Sequence, residues 1–445
     1  MSKLLAPLCV ALTALMLLAG CDAAPATNSP SSPQNPPPIP PANTDVVVRW
    51  GVPDIYHISD EALSRANGLL AEKGFSIEFV LTDIIEYEQT TPENRPDIMP
   101  LGTMENGGVS EGLLLDGEFA PLDGFLHDNP EIAVLYSEVQ WQSSAINGVH
   151  YTIPAWLGFL PPHKLLNPDI FSKSDLDAFD SPGRLGALLR RATKNTPLLF
   201  DGDMSALCPW LDAAYGVGFS HETGRAVSLF SEEGYGDIMR VLSELYKAGG
   251  VAENTDSFSI CVTAAGSETI LPTNYLSWQG KPFVTSNLKG LAVSVSSPRQ
   301  AQALELLKFL YTDSEFAALL LCGEAGKDTF INEMSLGYGR FPGLPPSSDA
   351  LLSHRPQNLG DAADFVQNNT QPSPFIGFVP DTRGFESTID ALREINNQWL
   401  LTAPIWKATA GEYEARLAEV TGRLKAAGID EWLSELNRQL DEWSK

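Results

Sequence analysis

Between Val46 and Thr82 the chain changes hydrophobic period twice, and that change limits the folds open to it. Val46-Val47-Val48-Arg49-Trp50-Gly51-Val52 is a near-continuous apolar run, the signature of a strand covered on both faces. Ala62, Leu63, Ala66, Leu69 and Leu70 then recur at helical spacing, with Ser59 placed to cap the amino end and Gly74 to stop the helix. Phe75, Ile77, Phe79 and Leu81 alternate with Ser76, Glu78, Val80 and Thr82, the period of a half-buried strand. A strand, a helix and a strand in immediate succession pair most simply in parallel, through a right-handed crossover. The body is therefore expected to be α/β. At 445 residues the chain also exceeds what one small core can organise, which points to two lobes.

Further short strands are expected at Asp97-Ile98-Met99-Pro100-Leu101 and over 291–295. Helical spacing marks 183–192, 208–215 and 235–248, and Ser297-Pro298-Arg299-Gln300 opens a helix carrying Ala301, Leu304, Leu307, Phe309 and Leu310. Near the carboxyl end, Thr409 and Glu412 have capping-box spacing ahead of Tyr413, Leu417, Val420 and Leu424. Gly428 breaks that helix, and Ile429, Leu433, Leu436, Leu440 and Trp443 form a second stripe. Such stripes are core contacts far more often than cofactor or membrane surfaces. No internal repeat recurs at a fixed period.

The amino-terminal residues have a different character. Lys3 precedes an apolar run from Leu4 to Gly20, the pattern of a secretion signal and short of the roughly 20 residues that span a bilayer. Leu18-Ala19-Gly20-Cys21 resembles the lipobox of bacterial lipoproteins, which implies cleavage before Cys21 and a lipid on its thiol. Residues 22–44 are rich in Pro, Ser, Ala and Asn with little to bury, and read as an extended tether. The chain carries 29 basic and 56 acidic residues, a formal charge of −27. Such a surface repels nucleic acid and anionic headgroups and suits a neutral or cationic ligand. Cys208, Cys261 and Cys322 lack metal-ligand spacing, which leaves one bridge with a leftover thiol, or three buried thiols, both open.

Enzyme signatures are weak. His57, His127, His150, His163, His221 and His354 are scattered with no H-E-x-x-H, and "GYGRFPG" at 337–343 lacks the Lys-Ser/Thr of a phosphate loop. "DGD" at 201–203 does not continue as a calcium loop, and Ser286 with Lys289 is an isolated S-x-x-K. Neither a metal nor a cofactor is expected.

Four stretches in order, "RPDIMPLGTMENGG", "GEFAPLDGFLHDNPEI", "SSAINGVHYTIPAW" and "LKGLAVSVSSPRQAQALELLKFLYTDSEFAALLLCGEAGKDTF", resemble the family 1 extracellular solute-binding proteins of bacterial ABC importers. "SPFIGFVPDTRGFESTIDAL" and "RLKAAGIDEWLSELNRQLDEW" look like the C-terminal domain of a lipoprotein branch of that family. One departure is visible: Asp328-Thr329-Phe330 follows "GEAGK" where the family has His and an aromatic.

The resemblance implies an α/β, two-lobe periplasmic-binding-protein-like fold of type II, with lobes joined by crossing strands and a helical C-terminal tail. Its expected parts are a signal peptide over 1–20 and a tether over 21–44. The first lobe takes 45–155 and 283–330, and the second takes 156–282 and 331–445. It further implies a monomeric, lipid-anchored receptor facing the extracellular side or periplasm, delivering a saccharide to ABC permease subunits.

Sugar clefts use flat aromatic faces together with carboxylates or amides. Trp50, Tyr56, Tyr87, Trp156, Trp210, Tyr235 and Trp278 are candidate platforms, and Glu105 and Asn106, past a strand's carboxyl end, are candidate hydrogen-bonders. The alternatives are a surface adhesin or scaffold, or an enzyme on the same fold acting on a glycoside or small heterocycle. One enzyme of similar two-lobed architecture, thiaminase I, places a cysteine after the crossover proline, and residues 155–165 contain none.

Overall fold

The computed structural model describes residues 46–52, 59–83, 95–101, 111–154, 163–200, 204–214, 216–252, 258–263, 275–278, 283–284, 290–322, 370–402, 404–408 and 412–445. The chain begins with β1 (Val46–Val52), α1 (Asp60–Glu72), β2 (Ile77–Asp83) and β3 (Ile98–Leu101), then runs through short helices to α2 (Glu138–Ser143) and β4 (Ile153–Pro154). It continues with β5 (His163–Leu166), α3 (Pro182–Leu189), β6 (Leu198–Phe200), β7 (Leu211–Ala214), β8 (Val217–Ser220) and β9 (Arg225–Val227). Next come α4 (Glu233–Lys247), β10 (Val251–Ala252), β11 (Ile260–Thr263), β12 (Leu276–Ser277) and β13 (Phe283–Val284). The chain then forms β14 (Gly290–Val293), α5 (Gln300–Thr312) and α6 (Ser314–Cys322), and ends with β15 (Gln371–Pro372), α7 (Glu386–Asn397), α8 (Tyr413–Ala426) and α9 (Ile429–Trp443).

Two five-stranded sheets result, ordered β2-β1-β3-β14-β4 and β10-β6-β11-β5-β12. The opening strand–helix–strand folds as its periodicity requires, with β1 and β2 parallel from Val46↔Ile77 to Val52↔Asp83. Ser59 accepts from the Ala62 amide at 3.1 Å, closing the amino end of α1. At the other end Gly74 takes φ +88°, and the Gly74 and Phe75 amides return to Ala71 and Leu70, a Schellman stop. Asn67 then bonds both the amide and the carbonyl of Phe79, at 2.9 and 3.0 Å, so the helix satisfies part of the sheet's outer edge.

Each sheet has its own core. The first gathers Val48, Trp50, Leu69, Leu70 and Phe79 with Leu306, Leu310 and Phe316 of α5 and α6. Asp97, 1% exposed at the amino end of β3, ties this core together. It accepts from the Arg49 amide at 2.7 Å, the Ser297 hydroxyl at 2.5 Å and the Arg299 guanidinium at 2.9 Å. The second core gathers Leu166, Phe200, Ile238, Leu242 and Ile260 with residues from all three C-terminal helices, among them Leu392, Val420 and Trp432. The C-terminal helices thus extend the second core.

Two local expectations are corrected. Of residues 208–215, expected as a helix, Leu211–Ala214 instead enter an antiparallel three-stranded sheet ordered β9-β8-β7. Pro209 disfavours helical backbone at Cys208, and Gly216 at φ +77° supplies the tight turn between β7 and β8. The helix after 409 begins at Tyr413 with Glu412 as its cap and no side-chain cap bond, so Glu412 lies outside the helix rather than at the third helical position of a capping box; Thr409 is outside the described residues. Cys208 and Cys261 are both buried. Among the described residues no helix is long and apolar enough to cross a membrane.

Candidate functional site

The strand directions place the site. In the first sheet β1, β2 and β3 run parallel, β14 runs against β3, and β4 runs against β14. The carboxyl ends of β1 to β4 and the amino end of β14 therefore share one edge. In the second sheet β10, β6 and β11 run parallel, β5 runs against β11, and β12 runs against β5. The carboxyl ends of β6, β10, β11 and β12 share an edge with the amino end of β5. The chain passes between these two edges twice, through 155–162 from β4 to β5 and through 279–289 from β12 to β14. Nine steps of an extended chain reach roughly 30 Å at most, so the first crossover limits how far apart Pro154 and His163 can lie. Open α/β sheets bind ligands at this edge.

The first edge is held closely. Gly290 of β14 faces Pro154 of β4, and a Cβ on it would lie 2.1 Å from the Ile153 carbonyl oxygen. Pro154, the last residue before the crossover, accepts a 2.5 Å hydrogen bond from the buried Tyr136 hydroxyl. Tyr311 of α5 is buried beside that phenol, and burial pushes both phenols well above their usual range, so both stay neutral.

Of the candidate residues, Tyr56, Tyr87, Glu105, Asn106 and Trp156 lie outside the described residues, as does Cys21. In the sequence each of the first five follows closely on the carboxyl end of β1, β2, β3 or β4 at this edge. Trp50 is different: it sits within β1 with no exposed surface, its ring 5.9 Å from that of Phe79. In this conformation Trp50 packs the first core and presents no face to a ligand.

Trp210, Tyr235 and Trp278 all pack in or against the second core. Trp278 follows β12 directly, is 7% exposed, and donates from its indole to Asp180 at 3.2 Å. The buried ammonium of Lys164, on β5, stands 4.3 Å from the centre of the same indole. Burial raises the Asp180 carboxyl pKa, while Lys164 and the Trp278 bond act against it. Trp210 is half-buried where the amino ends of α3 and α4 meet: a Cβ on Gly234 would lie 3.0 Å from Pro182 and 3.3 Å from the Trp210 indole nitrogen. Tyr235, buried, is in the first turn of α4, and its amide donates to Glu232 at 2.5 Å.

Sequence reasoning missed Lys164 and Asp180. The signal for Lys164 was the alternation of β5, which puts it on the same face as the buried Leu166. Among the described residues no three His, Cys, Asp or Glu side chains converge as a metal site.

This arrangement of two sheets can be compared with known proteins. The N-glycan transport solute-binding protein NgtS from Streptococcus pneumoniae superposes with a TM-score of 0.58 at 15% identity, over 89% of this chain and 98% of that one. The chain has the solute-binding-protein fold. A second structure of the same protein, in complex with Man1GlcNAc, gives a TM-score of 0.51 at 15% identity, over 89% of this chain and 99% of that one. Residues 374–445 match a family described as a domain of unknown function, DUF3502. No curated protein matches the chain by sequence.

Proposed function

We propose that the chain is the solute-binding component of an ABC importer, taking a saccharide between its two sheets and delivering it to permease subunits. The observation that carries this reading is the pair of carboxyl edges joined by two crossovers. Its support is the shared fold with a glycan-transport receptor, one structure of which holds Man1GlcNAc. The two cores fit a first lobe of 45–155 with 283–330 and a second of 156–282 with 331–445. Ligand would then meet Tyr56, Tyr87, Glu105, Asn106 and Trp156 from the first lobe's edge and Trp210 and Trp278 from the second's. No covalent step is part of this reading. The apolar run, the lipobox and the Pro-rich stretch support a lipid anchor at Cys21 and a tether that leaves the body outside the membrane. The receptor would work as a monomer.

A thermal-shift panel of oligosaccharides, beginning with Man1GlcNAc, tests this. Ligand at a hundred times its Kd stabilises the native state by about 2.7 kcal/mol, which such an assay detects. No response to any saccharide, with hydrolysis of a glycoside instead, would favour the enzyme reading.

A further inference from the structure

The segment leading into the C-terminal helices touches both cores almost residue by residue. β15 pairs in parallel with β13, inside the second crossover, and both strands lie against α2. Ser373, 2% exposed, donates to Asp212 of β7, which also holds the His221 imidazole at 2.9 Å. Phe375 and Phe378 belong to the second core, their rings 5.3 and 6.1 Å from that of Phe219. Between them Ile376 packs against the first core. Val379 packs against a small cluster on the first sheet that includes Met99, Leu101 and Phe119. Gly377, at φ +85°, brings the backbone past Ala145, close enough that a Cβ would lie 3.7 Å from its carbonyl oxygen.

The two sets of ties differ in strength. Toward the second core they are the buried Ser373–Asp212–His221 knot, two buried aromatic rings, and the half-buried Gln439 of α9, which bonds both the amide and the carbonyl of Asp381. Toward the first core they are two half-buried aliphatic side chains, the backbone of Gly377 against Ala145, the contact of β15 with α2, and an exposed ion pair between Arg383 and Asp116 at 3.5 Å. The segment is therefore anchored in the second core and lies against the first.

We infer that residues 371–383 form a clasp through which the C-terminal helical domain sets the resting angle between the lobes and so the affinity of the cleft. The inference rests on the receptor reading. A ligand that binds one lobe angle has an apparent affinity scaled by the resting population of that angle. Contacts made at some angles and lost at others, such as those of Ile376, Val379 and Arg383, enter that population without touching ligand. This gives the domain matched at 374–445 a physical task.

The test uses the full chain with fluorophores at the exposed positions 134 and 247, in segments that pack on the first and the second core, and reads the ligand-free distance distribution by energy transfer. Saccharide binding by the unsubstituted chain is measured separately, so its absence counts against the receptor reading and leaves the clasp to the ligand-free distribution. Asp116→Arg, a surface change facing Arg383, is expected to shift the distribution and change the saccharide Kd two- to fivefold. The charge swap Asp116→Arg/Arg383→Asp is expected to restore both. Ile376→Ala/Val379→Ala should shift the distribution further in the same sense. Distributions that coincide with the unsubstituted chain in all three folded variants would overturn the clasp.

Discussion

Gly290 and Asp97 bear on opposite edges of the first sheet, and each makes a prediction of its own. At Gly290 a methyl group would meet backbone, the Ile153 carbonyl at 2.1 Å, and backbone moves only if the β14–β4 pairing gives way. Gly290→Ala should therefore cost at least the 1–3 kcal/mol typical of overpacking, read as a lower urea midpoint. At Asp97 the loss is electrostatic. Asp97→Ala leaves the Arg299 guanidinium and the Arg49 amide without their acceptor, and breaking such a pair costs roughly 3–5 kcal/mol. The lower end is expected, because Arg299 keeps 25% side-chain exposure and can recover water. Neither role could be read from the sequence, since each depends on partners brought in from distant strands. The same limit applies to Trp50: local pattern marked it as aromatic in a strand, and only β2 and α6 determine that it is core.

At the scale of single elements the sequence was legible where local chemistry and packing agree. Helix α1 has its cap, its apolar face and its left-handed glycine in consecutive residues, and it forms as read. β7 was misread because the apolar spacing of a short segment suits either period, and the sheet formed by β8 and β9 decided it. Helix α9 was read as a stripe, yet its largest buried side chain, Trp432, lies beside the stripe. Its polar face also works: Asn437 bonds the amide and carbonyl of Ala226 on the edge strand β9. Asn437→Ala should cost about 1–3 kcal/mol by leaving both groups unpaired, measured by denaturant titration. On the same helix Arg438 and Gln439 lower the Glu435 carboxyl from 4.5 to about 2. A lowered folded pKa stabilises above the unfolded value and is lost as pH falls through the folded one. The stability gap between the chain and Glu435→Gln should therefore be full above pH 4.5 and shrink toward pH 2.

At the scale of the molecule, the parallel strand–helix–strand at the start and the length of the chain already implied an α/β body with two lobes. What the sequence could not supply is how the pieces interleave. β14 returns to the first sheet after the whole second sheet has been made, and the C-terminal helices join the second core from beyond residue 370. The candidate site was the least legible part, because Trp210 and Trp278 gain their setting from α3, α4 and β5 rather than from neighbours in sequence. In the proposed receptor the two carboxyl edges form one saccharide cleft that closes on its ligand. Calorimetric titration of the full chain with an oligosaccharide panel, repeated with Trp156→Ala, tests it most directly. Saturable one-to-one binding of at least one saccharide is expected, weakened at least tenfold in the folded variant. Absence of heat with every saccharide, or an unchanged Kd after loss of the Trp156 ring, would contradict it.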